Sequence, residues 1–236
     1  MGNHPVPYGR ILIKISGELL GGTESVFHKQ AMESVVNQVK ILLQMGIQVG
    51  IVLGGGNIYR GRFGHVSSET GDHMGMLATV INGLALGDFF RNQSIPFLLQ
   101  SAIPCGALVE MANGEKARNA LQEGKVVIFS GGTGIPYFST DTAAALRAIE
   151  INADALLKAT RVDGIYDDDP EKNPRAHRFD RISFDEVVRR GLNVMDQEAF
   201  CLCRSHCIPI IIFSMGETHS IVGAITGNGV CSHVHN

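Results

Sequence analysis

The chain has 236 residues, 28 glycines, five cysteines and a formal net charge of −3 at pH 7. This length allows one large α/β domain or two small ones, and the net charge excludes a bulk attraction to nucleic acid or to an anionic membrane. No uncharged apolar run is long enough to span a bilayer and no secretion signal is recognisable, so we expect a cytoplasmic protein whose cysteines stay thiols.

Apolar runs of strand length alternate with amphipathic helical segments along the chain. The pattern predicts strands at residues 10–16, 48–53, 96–99, 125–129, 154–159 and 209–213. It predicts helices at residues 28–45, 71–92, 113–123, 142–149, 183–190 and from residue 195 onward. Because no repeat or linker interrupts this alternation, we expect a single domain over residues 1–236, a three-layer α/β/α sandwich with a mainly parallel central sheet.

The first predicted strand carries a lysine close to its end. Ile11, Ile13 and Ile15 alternate on one face, and Lys14 lies on the other. A charge in an otherwise buried strand is costly unless it has a partner. The pattern favours a lysine aimed at phosphate from the carboxyl end of the strand, where Gly17 opens a loop. The alternative is an edge-strand lysine that faces water.

Three consecutive glycines, Gly54–Gly56, follow the second predicted strand, and Arg60 and Arg62 come shortly after them. Glycines expose backbone N–H groups, and guanidinium groups suit phosphate oxygens. The segment therefore predicts a second phosphate-binding loop. The alternative, a merely flexible turn, does not account for the two arginines.

The helix predicted at residues 71–92 begins beside Asp72. One interpretation of Asp72 is the helix N-cap, whose carboxylate accepts a bond from the first turn. The other is an acceptor for a ribose hydroxyl. The sequence pattern leaves both open.

A glycine-rich loop at residues 131–141 joins the strand at 125–129 to the helix at 142–149. Its glycines allow close approach of an anion, and the helix N-terminus adds a partial positive charge. Thr133, Ser139 and Thr140 supply hydroxyl groups. Asp141 is a candidate N-cap, and its carboxylate is also a candidate for a place near phosphates or their magnesium. This loop predicts a site for a phosphorylated molecule.

Two further clusters invite a metal-site interpretation. The loop at 160–170 holds three adjacent aspartates, Asp167–Asp169, but neighbouring residues rarely converge on one ion, so solvated turn carboxylates are favoured over a metal. Cys201, Cys203, Cys207 and His206 do not have the paired spacing of zinc sites. We therefore predict no metal held by protein side chains alone.

The phosphate-handling groups all follow predicted strands, which places them on one rim of the sheet. The chain lacks a P-loop, a dinucleotide-binding glycine motif and a nucleophile elbow. These phosphate-binding groups are more than one phosphate needs, and their number suits two phosphorylated ligands that meet end to end. Phosphoryl transfer needs mainly alignment and neutralisation of charge, which these loops could supply.

Six short motifs follow one another along the chain: Lys14–Gly17, Gly54–Asn57, Gly71–Thr79, Gly132–Asp141, Lys158–Gly164 and Val194–Asp196. In this order they resemble the motifs of the bacterial uridylate kinases, a family of the amino-acid kinase superfamily. The Gly-Asp-His-Met-Gly-Met sequence from Gly71 is the most specific of them, because it separates these kinases from carbamate, glutamate and aspartate kinases. The resemblance extends from about residue 10 to residue 215 and implies transfer of a phosphoryl group from ATP, with Mg²⁺, to UMP.

The resemblance also implies roles for individual residues. It implies a catalytic group made of Lys14, Arg60, Asp141 and Asp196. It implies ATP contacts from Lys14, Ile15, Ser16, Gly17, Gly56, Arg60, Thr160, Tyr166 and Asp169. It implies UMP contacts from Gly55, Asp72, Thr133, Gly134, Ile135, Pro136, Tyr137, Phe138, Ser139 and Thr140. The UMP-binding part would then fall mainly at 50–141 and the ATP-binding part mainly at 155–225, with Mg²⁺ carried by the ATP phosphates.

A homohexamer, activation by GTP and inhibition by UTP are further implications of the resemblance. Two segments depart from the family pattern. Residues 24–29 replace a common Gly-Phe-Gly-Ile-Asp stretch near the effector contacts, and residues 229–232 replace a Gly-Thr-x-Ile stretch at the last strand. A non-catalytic nucleotide-sensing or anion-storage protein, and a kinase of carboxylates or carbamate, are the competing interpretations.

Overall fold

The computed structural model describes residues 7–22, 25–60, 66–170, 172–215 and 220–236. Within these ranges the strands are β1 (Arg10–Ile15), β2 (Gln48–Leu53), β3 (Phe97–Ser101), β4 (Glu110–Met111), β5 (Val126–Ser130), β6 (Ala155–Thr160), β7 (Ile165–Tyr166), β8 (Arg178–Phe179), β9 (Arg181–Ser183), β10 (Ile210–Ser214) and β11 (Cys231–His235). Nine of them form one sheet in the order β4-β3-β5-β2-β1-β6-β10-β11-β9, while β7 and β8 pair as a small hairpin.

Every neighbouring pair in the nine-stranded sheet is parallel except β10 with β11. Residues 229–232, which depart from the family pattern, lead into β11, and this strand pairs antiparallel with β10 in the register Ile212 with Ser232. The six strands predicted from the sequence are all present. The short strands β4, β7, β8 and β9 were not predicted, because two or three residues show no periodicity.

The helices cover both faces of the sheet. They are α1 (Gly17–Leu20), α2 (Lys29–Gln44), α3 (Ser68–Asn92), α4 (Gly114–Gln122), α5 (Thr140–Glu150), α6 (Phe184–Arg190), α7 (Gln197–Ser205) and α8 (Ser220–Thr226). Apolar residues of α2, α3 and α8 pack on one face of the sheet, and those of α4, α5, α6 and α7 pack on the other. The expected three-layer α/β/α sandwich with a mainly parallel sheet is confirmed. None of the described helices is both long and apolar enough to cross a bilayer.

Strand β1 lies in the middle of the sheet, between β2 and β6. Its isoleucines enter the core under α2 and α3, whereas Leu12 enters the core under α5. Lys14 shares the Leu12 face and is therefore directed toward the layer that contains α5. The edge-strand interpretation of Lys14 is thus wrong.

Two predicted N-caps are also wrong. Helix α3 begins at Ser68, four residues before Asp72. Its N-cap is Ser67, whose hydroxyl accepts the N–H of Thr70. Helix α5 is capped by Ser139, whose hydroxyl accepts the N–H groups of Asp141 and Thr142. Asp72 and Asp141 therefore lie inside the first turns of their helices, with side chains available for other contacts.

Candidate active site

Three charged side chains meet at the carboxyl ends of β1 and β6. Lys14 and Lys158 occupy paired positions on these neighbouring parallel strands. The Asp141 carboxylate, from the first turn of α5, lies between them, with Oδ1 2.9 Å from Lys14 Nζ and Oδ2 2.7 Å from Lys158 Nζ. We name these three residues the buried lysine cluster, because their side chains are only 10, 14 and 12% exposed, respectively.

Burial and charge act against each other in this cluster. Burial raises the pKa of Asp141, but the ammonium groups of Lys14 and Lys158 together outweigh it, so its pKa lies below the ordinary 3.8. For Lys158, burial lowers the pKa below 10.5, and Asp141 only partly offsets that effect. With both lysines charged, the cluster carries one excess positive charge in a place that water hardly reaches. Such a place attracts an anion strongly.

Asp196 supports the same corner of the molecule. It is the N-cap of α7, and its Oδ1 accepts the N–H of Ala199 at 3.0 Å. Its carboxylate also accepts the hydroxyls of Ser139 and Thr142, the latter at 3.1 Å. Asp196 therefore fixes the N-terminal turn of α5, which carries Asp141, and does not touch either lysine within hydrogen-bond distance.

The loops after β1 and β2 pack against each other without room for side chains. A Cβ added to Gly17 would lie 2.5 Å from the Gly56 nitrogen and 2.8 Å from the Gly54 oxygen. The same addition at Gly55 would lie 2.7 Å from the Gly75 oxygen of α3. These glycines allow the two phosphate-loop candidates and α3 to approach within backbone distance. Beside them, Ser16 Oγ accepts a hydrogen bond from Lys14 Nζ at 3.1 Å.

A second charged cluster lies on the surface of this corner. Glu18 of α1 forms an ion pair with Arg60, and its other carboxylate oxygen lies 3.5 Å from a guanidinium nitrogen of Arg161. We name Glu18, Arg60 and Arg161 the exposed arginine cluster. Arg60 thus lies beside the phosphate-loop candidates, as the sequence predicts, whereas Arg62 lies outside the described residues.

A cavity of about 260 Å³ opens between the triglycine loop, α3 and the start of α5. We call it the acceptor cavity. Of the residues expected to hold UMP, it is lined by Gly55, Asp72, Phe138, Ser139 and Thr140. Gly56, Tyr59, Thr79 and Gly132 also line it, although Gly56 was predicted on the ATP side.

The turn at 133–137 borders this cavity without lining it. Asp72 Oδ2 accepts the N–H of Tyr137 at 2.7 Å, which holds the turn against α3. This contact stabilises Tyr137 in the left-handed region, with φ of +72°, where non-glycine residues are uncommon. The Thr133 hydroxyl is engaged within the turn, with the backbone of Ile135. Ile135 and Tyr137 project outward, with exposures of 58 and 73%.

A cavity of about 490 Å³ opens beside Lys158 of the lysine cluster. We call it the donor cavity. It is lined by Lys158 and by three residues expected to hold ATP, namely Thr160, Tyr166 and Asp169. A further cavity of about 600 Å³ adjoins it across the β7 turn, and Tyr166 and Pro170 line both. The side chain of Ile15 is fully buried in the core, so only its main chain is available to a ligand.

The three adjacent aspartates, Asp167–Asp169, have hydrogen-bond or ion-pair partners close to them in the chain. Asp167 accepts the N–H of His177, Asp168 accepts bonds from Asp169 and Asn173, and Asp169 pairs with Lys172. These contacts are typical of turn carboxylates, as the sequence favours. Among the described residues, no group of three or more metal-ligating side chains is arranged to hold an ion.

Cys201 and Cys207 are exposed thiols, whereas Cys203 is buried. Burial, with the nearby charges of Asp141 and Asp196, raises the pKa of Cys203 to about 12. This thiol therefore behaves as an inert packing group.

Sequence reasoning missed two residues of this site. Lys158 was placed in a strand and at the start of a family motif but was given no role in the site, although a lysine in an apolar run is the same signal that identified Lys14. Tyr59 lines the acceptor cavity and gave no signal, because an aromatic residue next to a loop is common. In contrast, the meeting of Lys14 with the loop at 131–141 is confirmed by the contact with Asp141.

The geometry joins two cavities through one charged cluster. Thr140 lines the acceptor cavity, Lys158 lines the donor cavity, and Asp141, which follows Thr140, contacts Lys158. Two ligands placed in these cavities would have the charged cluster between them. The arrangement can therefore align and neutralise two phosphorylated molecules.

Comparison with known proteins is consistent with this geometry. A sequence model of the amino acid kinase family matches residues 9–214. A uridylate kinase of Ruthia magnifica is 49% identical over 222 residues, covering 92% of this chain and 93% of the relative. A uridylate kinase of Legionella pneumophila (strain Lens) is 47% identical, covering 94% of this chain and 92% of the relative.

Solved structures of UMP kinases also superpose closely on this chain. The crystal structure of UMP kinase from Ureaplasma parvum superposes with a TM-score of 0.93 at 35% identity, covering 96% of this chain and 98% of that one. The structure of UMP kinase from Bacillus anthracis superposes with a TM-score of 0.93 at 34% identity, covering 97 and 96%.

Proposed function

This chain belongs to the amino acid kinase family, and we propose that it is a uridylate kinase, which transfers the γ-phosphoryl group of ATP to UMP and releases ADP and UDP. The observation that carries the proposal is the buried lysine cluster between the donor and acceptor cavities. Matches over more than nine-tenths of both chains support the acceptor assignment, since those relatives are named uridylate kinases.

In the proposed reaction, an oxygen of the UMP phosphate attacks the γ-phosphorus of ATP. The bond from that phosphorus to the β–γ bridging oxygen breaks, and the bridging oxygen takes the electron pair. Negative charge moves through the transferring group, and phosphoryl transfer depends mainly on aligning the ends and stabilising this charge. Lys14 and Lys158 supply fixed positive charge, while Asp141 holds both ammonium groups in place.

The other residues take supporting roles in the proposal. Asp196 orients the start of α5, and the N–H groups around Gly17 and Gly56 face the phosphates. Arg60 pairs with phosphate once it leaves Glu18. ATP is held by Lys14, Ile15, Ser16, Gly17, Gly56, Arg60, Thr160, Tyr166 and Asp169. UMP is held by Gly55, Asp72, Phe138, Ser139 and Thr140, which line the acceptor cavity. The family resemblance adds the turn that borders it, namely Thr133, Gly134, Ile135, Pro136 and Tyr137.

Mg²⁺ enters this proposal as part of the substrate MgATP. Both oxygens of Asp141 contact lysines, and both oxygens of Asp196 accept hydrogen bonds. These carboxylates are therefore engaged in positioning cations and a helix. Phosphate oxygens are the usual ligands that bring Mg²⁺ to kinase sites.

We also propose the division of the domain between the two substrates, the oligomeric state, the effectors and the location that the family resemblance implies. The UMP-binding part falls mainly at 50–141 and the ATP-binding part mainly at 155–225 of one domain. A homohexamer, activation by GTP, inhibition by UTP and a cytoplasmic location follow from the family resemblance. Sedimentation analysis and turnover with added GTP or UTP test the oligomer and the effectors directly.

The decisive experiment measures ADP release with UMP, CMP and AMP as acceptors, at saturating MgATP. We expect turnover with UMP well above turnover with CMP, AMP or no acceptor. Folded protein, checked by circular dichroism, that releases no ADP in a UMP-dependent manner would overturn the proposal. The non-catalytic alternative predicts UMP binding by calorimetry without turnover, and no observation favours it.

A further inference from the structure

The hydroxyl of Tyr59 is buried and has no hydrogen-bond partner among the described residues. Tyr59 follows the triglycine loop, and its own N–H donates to the Gly55 oxygen at 3.0 Å. Its side chain is in the wall of the acceptor cavity. A buried hydroxyl that lacks a partner is uncommon in proteins, because it has lost its hydrogen bonds to water. Such a group beside a cavity points to a partner that binds there.

Three other polar side chains around this cavity, those of Asp72, Thr79 and Ser139, already have protein partners. Asp72 accepts the N–H of Tyr137. The Thr79 hydroxyl donates to the Met76 oxygen and accepts the N–H of Gly131, both at 2.7 Å. The Ser139 hydroxyl bonds to Asp196 and caps α5. These groups shape the wall, whereas the hydroxyl of Tyr59, a residue of the same wall, has no partner among the described residues.

We propose that the Tyr59 hydroxyl is a further specificity-determining group, which donates a hydrogen bond to an oxygen of the bound nucleoside monophosphate. The inference rests on the proposed function, because it takes the occupant of the acceptor cavity to be the phosphoryl acceptor. A phenol hydroxyl donates to oxygen acceptors, and both phosphate and ribose present them. Tyr59 lies between the triglycine loop and α3, so the proposed acceptor is an oxygen of either the phosphate or the ribose.

The substitution Tyr59→Phe tests this because it removes one oxygen and keeps the ring. We expect the KM for UMP to rise by about 5- to 20-fold, the usual effect of losing one buried hydrogen bond to a ligand. The KM for ATP should stay within about twofold, because Tyr59 does not line the donor cavity. The thermal midpoint of the free enzyme should not fall, since within the described part of the chain the hydroxyl has no hydrogen bond to lose. A merely structural tyrosine would not give this combination.

Comparison of UMP with 2′-deoxy-UMP identifies the oxygen. If the partner is the ribose 2′-hydroxyl, Tyr59→Phe raises the KM for UMP only and removes the preference over the deoxy substrate. If the partner is a phosphate or another shared oxygen, both KM values rise by the same factor. Either result supports the proposal. KM values for both substrates within about twofold of the unsubstituted enzyme would overturn it.

Tyr8→Phe is the matched control. Tyr8 precedes β1 at the opposite, amino-terminal edge of the strands and packs partly buried against the core. The substitution Tyr8→Phe should leave the KM values for UMP and 2′-deoxy-UMP unchanged.

Calorimetric titration of UMP into the unsubstituted and Tyr59→Phe proteins separates the proposed contact from the proposed kinase function. UMP binding that weakens in Tyr59→Phe without turnover in either protein would contradict the kinase and support the contact. Equal binding, or no binding by either protein, would contradict the contact.

Discussion

The buried lysine cluster and the exposed arginine cluster lie close together and differ in how far water reaches them. The lysine cluster is at most 14% exposed, and each ammonium is fixed on a central strand. In the arginine cluster, Arg60 and Arg161 are 48 and 79% exposed, and both share the single carboxylate of Glu18. The charges of the buried lysine cluster interact through a low dielectric, whereas those of the exposed arginine cluster are screened by water and salt.

This difference separates two tasks that a phosphoryl-transfer enzyme must perform. Charge that stabilises the transition state works best when it is positioned beforehand and shielded from water. Charge that captures an incoming anion must exchange partners, which exposed ion pairs do at little energetic cost. We therefore expect substitutions in the lysine cluster to reduce rate and stability, and substitutions in the arginine cluster to change mainly substrate affinity.

The largest effect is expected from Lys14→Ala. The transferring phosphoryl group loses one fixed positive charge, and removal of one such group in an active site typically lowers kcat by about 10²- to 10³-fold. Asp141 keeps its contact with Lys158, so the fold should be retained. Steady-state ADP release with UMP measures the loss. Lys40→Ala, on the exposed surface of α2, is the control and should keep full turnover. Full turnover by Lys14→Ala would contradict the proposed mechanism.

Lys158→Met tests whether the second lysine acts on the same group. We expect kcat to fall by roughly 10²-fold, with the KM for UMP little changed because Lys158 lines the donor cavity. Lys158 Nζ also donates to the Val194 oxygen at 2.8 Å, so the thermal midpoint should fall as well. If kcat were unaffected while stability fell, Lys158 would be a structural partner of Asp141 only. Separate KM and kcat measurements for both substrates distinguish these outcomes.

Asp141→Asn tests the stability of the lysine cluster. Two nearly buried ammonium groups would lose their shared carboxylate, and breaking a buried ion pair typically costs about 3 kcal/mol of unfolding free energy. Because folding lowers the pKa of Asp141 below 3.8, its stabilisation is present above pH 3.8 and is lost as the pH falls through the folded-state value. The difference in urea-unfolding free energy between the two proteins should therefore shrink below about pH 4. A difference that stayed constant down to pH 2 would contradict this.

The sequence was sufficient to predict the layers of the fold and the place where the loops converge. Long apolar runs identified the strands, and Lys14 was identified because a charge in such a run needs a partner. Lys158 satisfied the same criterion but was given no role in the site, since the segment was used only to place a strand and a family motif. The role of Asp141 was only partly predicted, because its proximity to phosphate-binding groups was expected but its cap role was wrong.

Other features depend on distances that a sequence does not contain. Asp72 was one candidate for the cap of α3 because the helical pattern begins beside it, whereas the structure has Ser67 as the N-cap. The unpartnered hydroxyl of Tyr59 depends on what surrounds it in space. Local patterns predict an element, whereas satisfaction of a buried polar group is a property of the whole packed structure.

The smallest effect is expected from Glu18→Gln, and it has the opposite sign. In the free enzyme, Glu18 neutralises Arg60 and Arg161, so it competes with phosphate for both. The amide frees both guanidinium groups, and we expect the KM for MgATP to fall by about 2- to 5-fold at low salt, with kcat unchanged. The gain should disappear near 0.5 M salt, because exposed charges are then screened.

Glu33→Gln is the matched control for this substitution. Glu33 forms an exposed ion pair with Lys29 on α2, so the same chemical change removes a comparable pair that is not part of the candidate site. It should leave the KM for MgATP unchanged at every salt concentration. A higher KM in Glu18→Gln at low salt would mean that Glu18 positions Arg60 for phosphate and does not compete with it. The exposed arginine cluster would then be preorganised like the lysine cluster, and the division between capture and catalysis would not hold.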